Sequence, residues 1–107
     1  MAFNTVDVPN LLFSAAGTVS SVVTGLDDAY GVGIIAPATL TASQVTVQVA
    51  ASSGGTFGTL QSGGSDVVLA AGKSLIITPL PYRWLQLASS AGEAASRTFV
   101  VTKVFIV

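Results

Sequence analysis

Five carboxylates supply all the acidic side chains of this 107-residue chain: Asp7, Asp27, Asp28, Asp66 and Glu93. General acid–base catalysis needs a titratable group held against its proton, and these five are scattered. Asp27-Asp28 is the only adjacent pair. In a turn it could offer oxygen ligands to a hard cation such as calcium, or it could simply be solvated. The chain has no His and no Cys. Ser-His and Cys-His nucleophiles, disulfides and thiolate metal sites therefore cannot be built. No Gly-rich run leads into Lys-Ser or Lys-Thr and a helix, so no phosphate cradle is expected. Gly54-Gly55 and Gly63-Gly64 read as hairpin turns. Tyr82-Arg83-Trp84 could stack on a sugar or a cation. It could equally be a strand that packs Trp84 in a core or an interface and leaves Arg83 exposed or paired. No enzyme activity and no cofactor are expected.

The elements that would position any site must come from an unusually uncharged chain. Half the residues are hydrophobic, mean hydropathy is +0.74, and 8% are charged, against roughly 25% in a typical soluble domain. Four basic residues against five acidic ones give a net charge of -1. No basic patch is available for phosphates, so nucleic-acid binding is not expected. A free monomer usually keeps more surface charge. Either partners cover much of this surface, or it is a Ser/Thr/Gly-rich surface of ordinary kind. The start, Met-Ala-Phe-Asn-Thr-Val-Asp, has no basic region leading into an apolar core, so no secretory signal is expected. No apolar run is long enough to span a membrane. The expected place is a cytoplasm until assembly.

Strand signals recur and helical ones are nearly missing. Residues 1–13, with Pro9 and Leu11-Leu12-Phe13, read as an N-terminal arm carrying a short strand. The arm would either contact a neighbour or pack on the chain's own core. Residues 14–107 read as one domain. Strands are expected over Gly17–Val23, Tyr30–Ala36, Gln44–Ala50, Thr56–Leu60, Asp66–Leu69, Ser74–Thr78, Tyr82–Leu87 and Arg97–Val107. Val45, Val47 and Val49 alternate with polar or small residues, which marks one buried face. Ser52 to Gly55 turns this strand back through Thr56 to Leu60 and brings Phe57 toward the same core. Leu85 and Leu87 share a face opposite Trp84 and Gln86. Short turns favour antiparallel pairing. The expected architecture is a small antiparallel β-sandwich, jelly-roll-like, of about eight short strands.

The last strand is apolar on both faces: Phe99, Val101, Phe105 and Val107 on one, Val100, Val104 and Ile106 on the other. A strand of that kind is covered on both faces. A neighbouring subunit or the N-terminal arm would supply the second cover, unless the strand runs along a closed barrel.

Three runs carry a resemblance: AYGVGIIAPATLTASQVTVQVAASSGGTFGTL, VVLAAGKSLIITPLPYRWLQLASS and RTFVVTKVFIV. Together, over residues 29 to 107, they resemble a group of small virion proteins of tailed bacteriophages. The shared pattern is an apolar strand ending in Pro, a Gly-Gly-Thr-Phe hairpin, an Arg-Trp strand beside Leu, and a long closing strand rich in Val, Thr and Lys. The same order is also similar to discoidin-type, galactose-binding-like sandwiches. This chain is shorter than those and lacks their polar and acidic loop residues. The phage resemblance implies a head decoration or cement protein on the major capsid protein, forming a dimer or trimer on the capsid surface. It implies interface anchors at Phe3, Leu11, Leu12, Phe13, Trp84 and Phe105, to which the doubly apolar strand adds Val100, Val104 and Ile106. The alternatives are a carbohydrate- or surface-binding module, read through Tyr30, Tyr82 or Trp84, and a tail or connector protein.

Overall fold

The computed structural model describes residues 3–23, 26, 30–42, 44–50, 56–78 and 82–106, with side chains for all of these except 3–9 and 106. Asp27-Asp28, the Ser52 to Gly55 turn, Pro79, Pro81 and Val107 lie outside the described residues, as do the side chains of Phe3, Asp7 and Ile106.

The protein is an all-β antiparallel sandwich with no helix among the described residues. Ten strands are formed among the described residues: β1 (Phe3–Phe13), β2 (Gly31–Ile35), β3 (Gln44–Ala50), β4 (Gly58–Thr59), β5 (Gln61–Ser62), β6 (Ser65–Asp66), β7 (Val68–Ala70), β8 (Ser74–Ile77), β9 (Trp84–Ala88) and β10 (Arg97–Ile106). One layer is the sheet β1-β10-β2-β8. The other is built on β3, which pairs β9 along one side and β7 and β4 along the other. The alternation holds from Gln44 to Val49 and along β9, while Ala50, expected on the outer face with Gln44, Thr46 and Gln48, is buried as well. Val45, Val47 and Val49 are buried, and so are Leu85 and Leu87. They meet Leu11, Phe13, Val32, Ile34, Phe99 and Val101 of the first sheet in one core. Phe13 and Phe99 pack as a tilted pair with centroids 5.8 Å apart at 56°, within the range aromatic pairs prefer.

Three features differ from the expectation of eight strands. Residues 3–13 form one long strand, β1, antiparallel to β10 over nine register pairs with an irregularity between Val8 and Leu11. Pro9 falls in that irregularity, where its missing N–H removes no ladder bond. Gly17–Val23 does not make a continuous strand. It touches β9 through isolated bridges at Val19 and Val23. Its Ser20 hydroxyl accepts the Leu87 N–H at 2.8 Å and donates to the Ser21 carbonyl. The Leu12 N–H donates to the Ser21 hydroxyl at 3.0 Å, and the Ser21 N–H to the Leu12 carbonyl. Two adjacent serines thus replace ladder bonds with side-chain bonds, and the segment stitches the edge of β1 to the edge of β9. Finally, the β5–β6 hairpin turns on Gly63 and Gly64, at φ +62° and +85°. Two consecutive positive φ values give the primed turn that matches strand twist.

Gly31 is required by close approach. A Cβ there would lie 2.3 Å from Thr78 Cγ2 and 2.6 Å from the Ile77 carbonyl oxygen. Gly31→Ala is expected to lose about 1–3 kcal/mol, the usual cost of overpacking, read as a lower urea midpoint at unchanged slope.

Candidate functional site

The two outer faces of the sandwich are chemically unlike. On the β3–β9 layer, Thr46, Gln48 and Gln86 face outward. Gln86 Nε2 donates to Gln48 Oε1 at 2.6 Å across the register pair, and Thr46 Oγ1 donates to the Ala88 carbonyl. Val19, the bridge partner of Ala88, is exposed beside them. Trp84 stands half-buried at its end, opposite Ala50.

The outer face of the β1-β10-β2-β8 sheet is apolar. Register sets its rows: Leu12 beside Thr98, Val100 beside Ile35 and Ser74, Thr102 beside Gly33 and Ile76, Val104 beside Gly31. Ile76 is 70% exposed, Ile35 54%, Leu12 50% and Val100 43%. Among the described side chains of these rows none is charged, and Asp7 on the edge strand β1 is the register partner of Thr102. Gly33 opens a trough of about 250 Å³ bounded by Ile35, Ser74, Ile76, Thr102 and Val104. Scattered exposed apolar residues need no explanation, but a contiguous set marks a contact surface.

The nine anchors suggested by the sequence divide between places. Leu12, Val100 and Val104 share this face, and Phe3 pairs in register with Ile106 at its far end. Leu11 and Phe13 are buried in the chain's own core. Phe105 alternates with them on the inner side, half-buried, with the Lys103 ammonium 5.0 Å from its ring centroid. Trp84 belongs to the opposite layer. β1 lies beside β10 in the sheet and does not lie over it, so the second face of β10 receives no cover from residues 3–13. Gly33, Ile35 and Ile76 were missed by sequence reasoning. Their signal was present in the doublets Ile34-Ile35, Ile76-Ile77 and Val100-Val101. Adjacent residues of a strand point to opposite faces, so an apolar doublet puts one side chain outside.

Among the described residues the buried charged side chain is Glu93, which is fully excluded from solvent. Its carboxylate accepts the Thr41 N–H at 2.9 Å, the Ala42 N–H at 3.3 Å, the Ser89 hydroxyl at 2.8 Å and Arg97 Nε at 3.1 Å. Burial pushes this carboxyl up, but the hydrogen bonds from Thr41, Ser89, Ala42 and Arg97 outweigh it and hold it below its ordinary value. Thr41 Oγ1 also accepts from the Ala94 N–H and from Arg97 Nη2. Every lone pair is engaged in holding three segments together, so the group is placed for structure and not for proton transfer.

A second, more polar cleft of about 370 Å³ lies between Leu60–Ser62 and the end of β8, with Tyr82 on its wall. Tyr30, beside β2, and Trp84, on β9, are in different layers, so Tyr30, Tyr82 and Trp84 do not form one platform. Among the described residues no three carboxylates gather where a metal ion could sit, and no helix is long and apolar enough to cross a membrane. Comparison with protein families, curated proteins and solved structures gives no match.

Proposed function

We propose that this chain is a structural, non-enzymatic subunit of a virion: a decoration or cement protein that binds the major capsid protein of a tailed bacteriophage and stabilises its head. The observation that carries the reading is the apolar outer face centred on Val100, Ile35 and Ile76, where no described side chain is charged. A free-standing monomer has no use for such a face, whereas a subunit in permanent contact buries it. The low charge of the whole chain and the resemblance of its three sequence runs to small phage virion proteins support the same reading. The mechanism is mechanical. Contacts spread over capsid subunits raise the work needed to separate them, and stable interfaces of about 1,200–2,000 Å² are within reach of a small domain.

Antibody raised against the purified chain, applied with gold to particles released from cells that carry its gene, tests this directly. Label over particle heads is the expected outcome. Particles that carry no label overturn the reading. Label confined to tails or fibres overturns the head assignment in favour of a tail or surface-binding role.

A further inference from the structure

The outer face of the β1-β10-β2-β8 sheet contains a glycine that nothing inside the molecule explains. Gly33 sits mid-strand in β2, between Thr102 and Ile76. Glycine inside a strand costs stability and often marks the close approach of another group. At Gly31 that group is present, as Thr78 and Ile77 crowd its Cα. At Gly33 it is not. A Cβ built there meets only the Leu75 carbonyl oxygen, at 4.0 Å, and its φ is not positive. The space admits a Cβ, and a β-branched residue is what a strand interior favours. The position instead forms the floor of an open apolar trough.

Beside the trough stands a knob. Ile76 is the register partner of Gly33 and is 70% exposed. A two-fold contact requires that residue i meet residue j while j meets i. A hole and a knob of matching chemistry side by side satisfy that condition. A two-fold contact also brings a face against its own copy, where like charges would repel. The rows of β10, β2 and β8 carry no charged residue on this face, and Asp7, in register with Thr102, lies on β1 at the sheet's edge. Their extent fits as well. Four strands at about 4.8 Å spacing and seven residues of β10 at about 3.4 Å rise span roughly 450 Å² in projection. Side-chain relief and rim residues carry this toward the about 800 Å² per partner of a standard interface.

We infer that this face is a homodimer interface, in which Ile76 of each copy seats over Gly33 of the other and Ile35, Val100 and Val104 pack around them. The inference rests on reading this face as a contact surface and names its occupant as a second copy of the chain.

The test is sedimentation equilibrium of the purified full chain over the micromolar range. Wild-type protein is expected to show a reversible monomer–dimer equilibrium. Gly33→Val fills the trough while leaving the core untouched. It is expected to weaken association by about tenfold or more, which is ~1.4 kcal/mol, with a monomer thermal midpoint equal to or above wild type. Ile76→Lys is expected to do the same by placing a charge against its own copy. Gln86→Lys, on the opposite layer, is expected to leave the dimer intact. A wild-type chain that stays monomeric at high micromolar concentration overturns the inference, and so does an oligomer indifferent to both substitutions. Neither result alters the labelling of particles. A dimer that behaves as expected on particles without label would retain the interface and remove the virion reading.

Discussion

A chain lacking residues 1–13 is expected not to fold. β1 contributes nine register pairs to β10 and inserts Leu11 and Phe13 into the core. Truncating a buried Leu to Ala costs about 2–5 kcal/mol and a buried Phe about 3–5 kcal/mol. Removing the strand removes both, opens the β10 edge, and exposes Phe99 where Phe13 covers it. The whole stability of a small domain is only about 5–15 kcal/mol, so the losses consume most or all of it. The measurement is the amide spectrum of the truncated protein by NMR. Collapsed amide dispersion is the expected result, and a dispersed spectrum with a near-native thermal midpoint would show the segment to be accessory. The single substitutions Leu11→Ala and Phe13→Ala keep the question open to measurement if the truncated chain aggregates. Each should lower the unfolding free energy by the amounts above, read from the urea midpoint and slope. Adding a peptide of residues 1–13 in trans should restore dispersion, since the segment enters as a single paired strand.

The second large effect belongs to Glu93. Glu93→Ala removes the acceptor for two backbone amides, a hydroxyl and Arg97. Breaking a buried pair by deleting one partner costs about 3–5 kcal/mol. Part of that is offset here because Arg97 retains some solvent access and keeps its bond to Thr41 Oγ1. For a domain of this size each 1 kcal/mol moves the thermal midpoint by about 4–8 °C, so a fall of more than about ten degrees is expected. Glu93→Gln keeps the shape but turns an amide NH₂ toward donors, and should recover only part of the loss. The same group sets the acid limit. Its carboxyl is held below the ordinary value in the folded state, so the unfolded chain binds the proton more readily. Its contribution is therefore complete above the ordinary carboxylate range and is lost as pH falls through the lowered folded value. Acid unfolding of wild type should be steeper than that of Glu93→Gln, whose curve loses this component. Equal pH slopes for the two proteins would exclude Glu93 as the titrating latch.

Much of the architecture is legible in the sequence because strand alternation is a local signal. Val45, Val47 and Val49, or Leu85 and Leu87, declare their face without knowledge of any partner strand. The Gly63-Gly64 turn is likewise local. What escapes is set by residues far apart. Gly17–Val23 has strand composition, but Ser20 and Ser21 find acceptors and donors on Leu87 and Leu12 and break the ladder. Residues 1–13 give no sign of how long their strand is, because its length is fixed by the register of β10 at the other end of the chain. The outer face was half visible. Val100 and Val104 stand out because their strand has few polar residues, whereas Ile35 and Ile76 join them only through pairings across β2 and β8. Glu93 offered no signal. A lone carboxylate among small residues reads as solvated until the loops bearing Thr41 and Ser89 close around it.

Phe3 and Ile106 are register partners, so residues near the two ends of β1 and β10 leave the sheet side by side. Tension applied between these two points would open the ladder like a zipper, one rung at a time, and meet little resistance. Load spread across the broad face of the sheet would strain many rungs together. A fold of this construction would bear force better through its flank than as a link in a chain pulled from its ends.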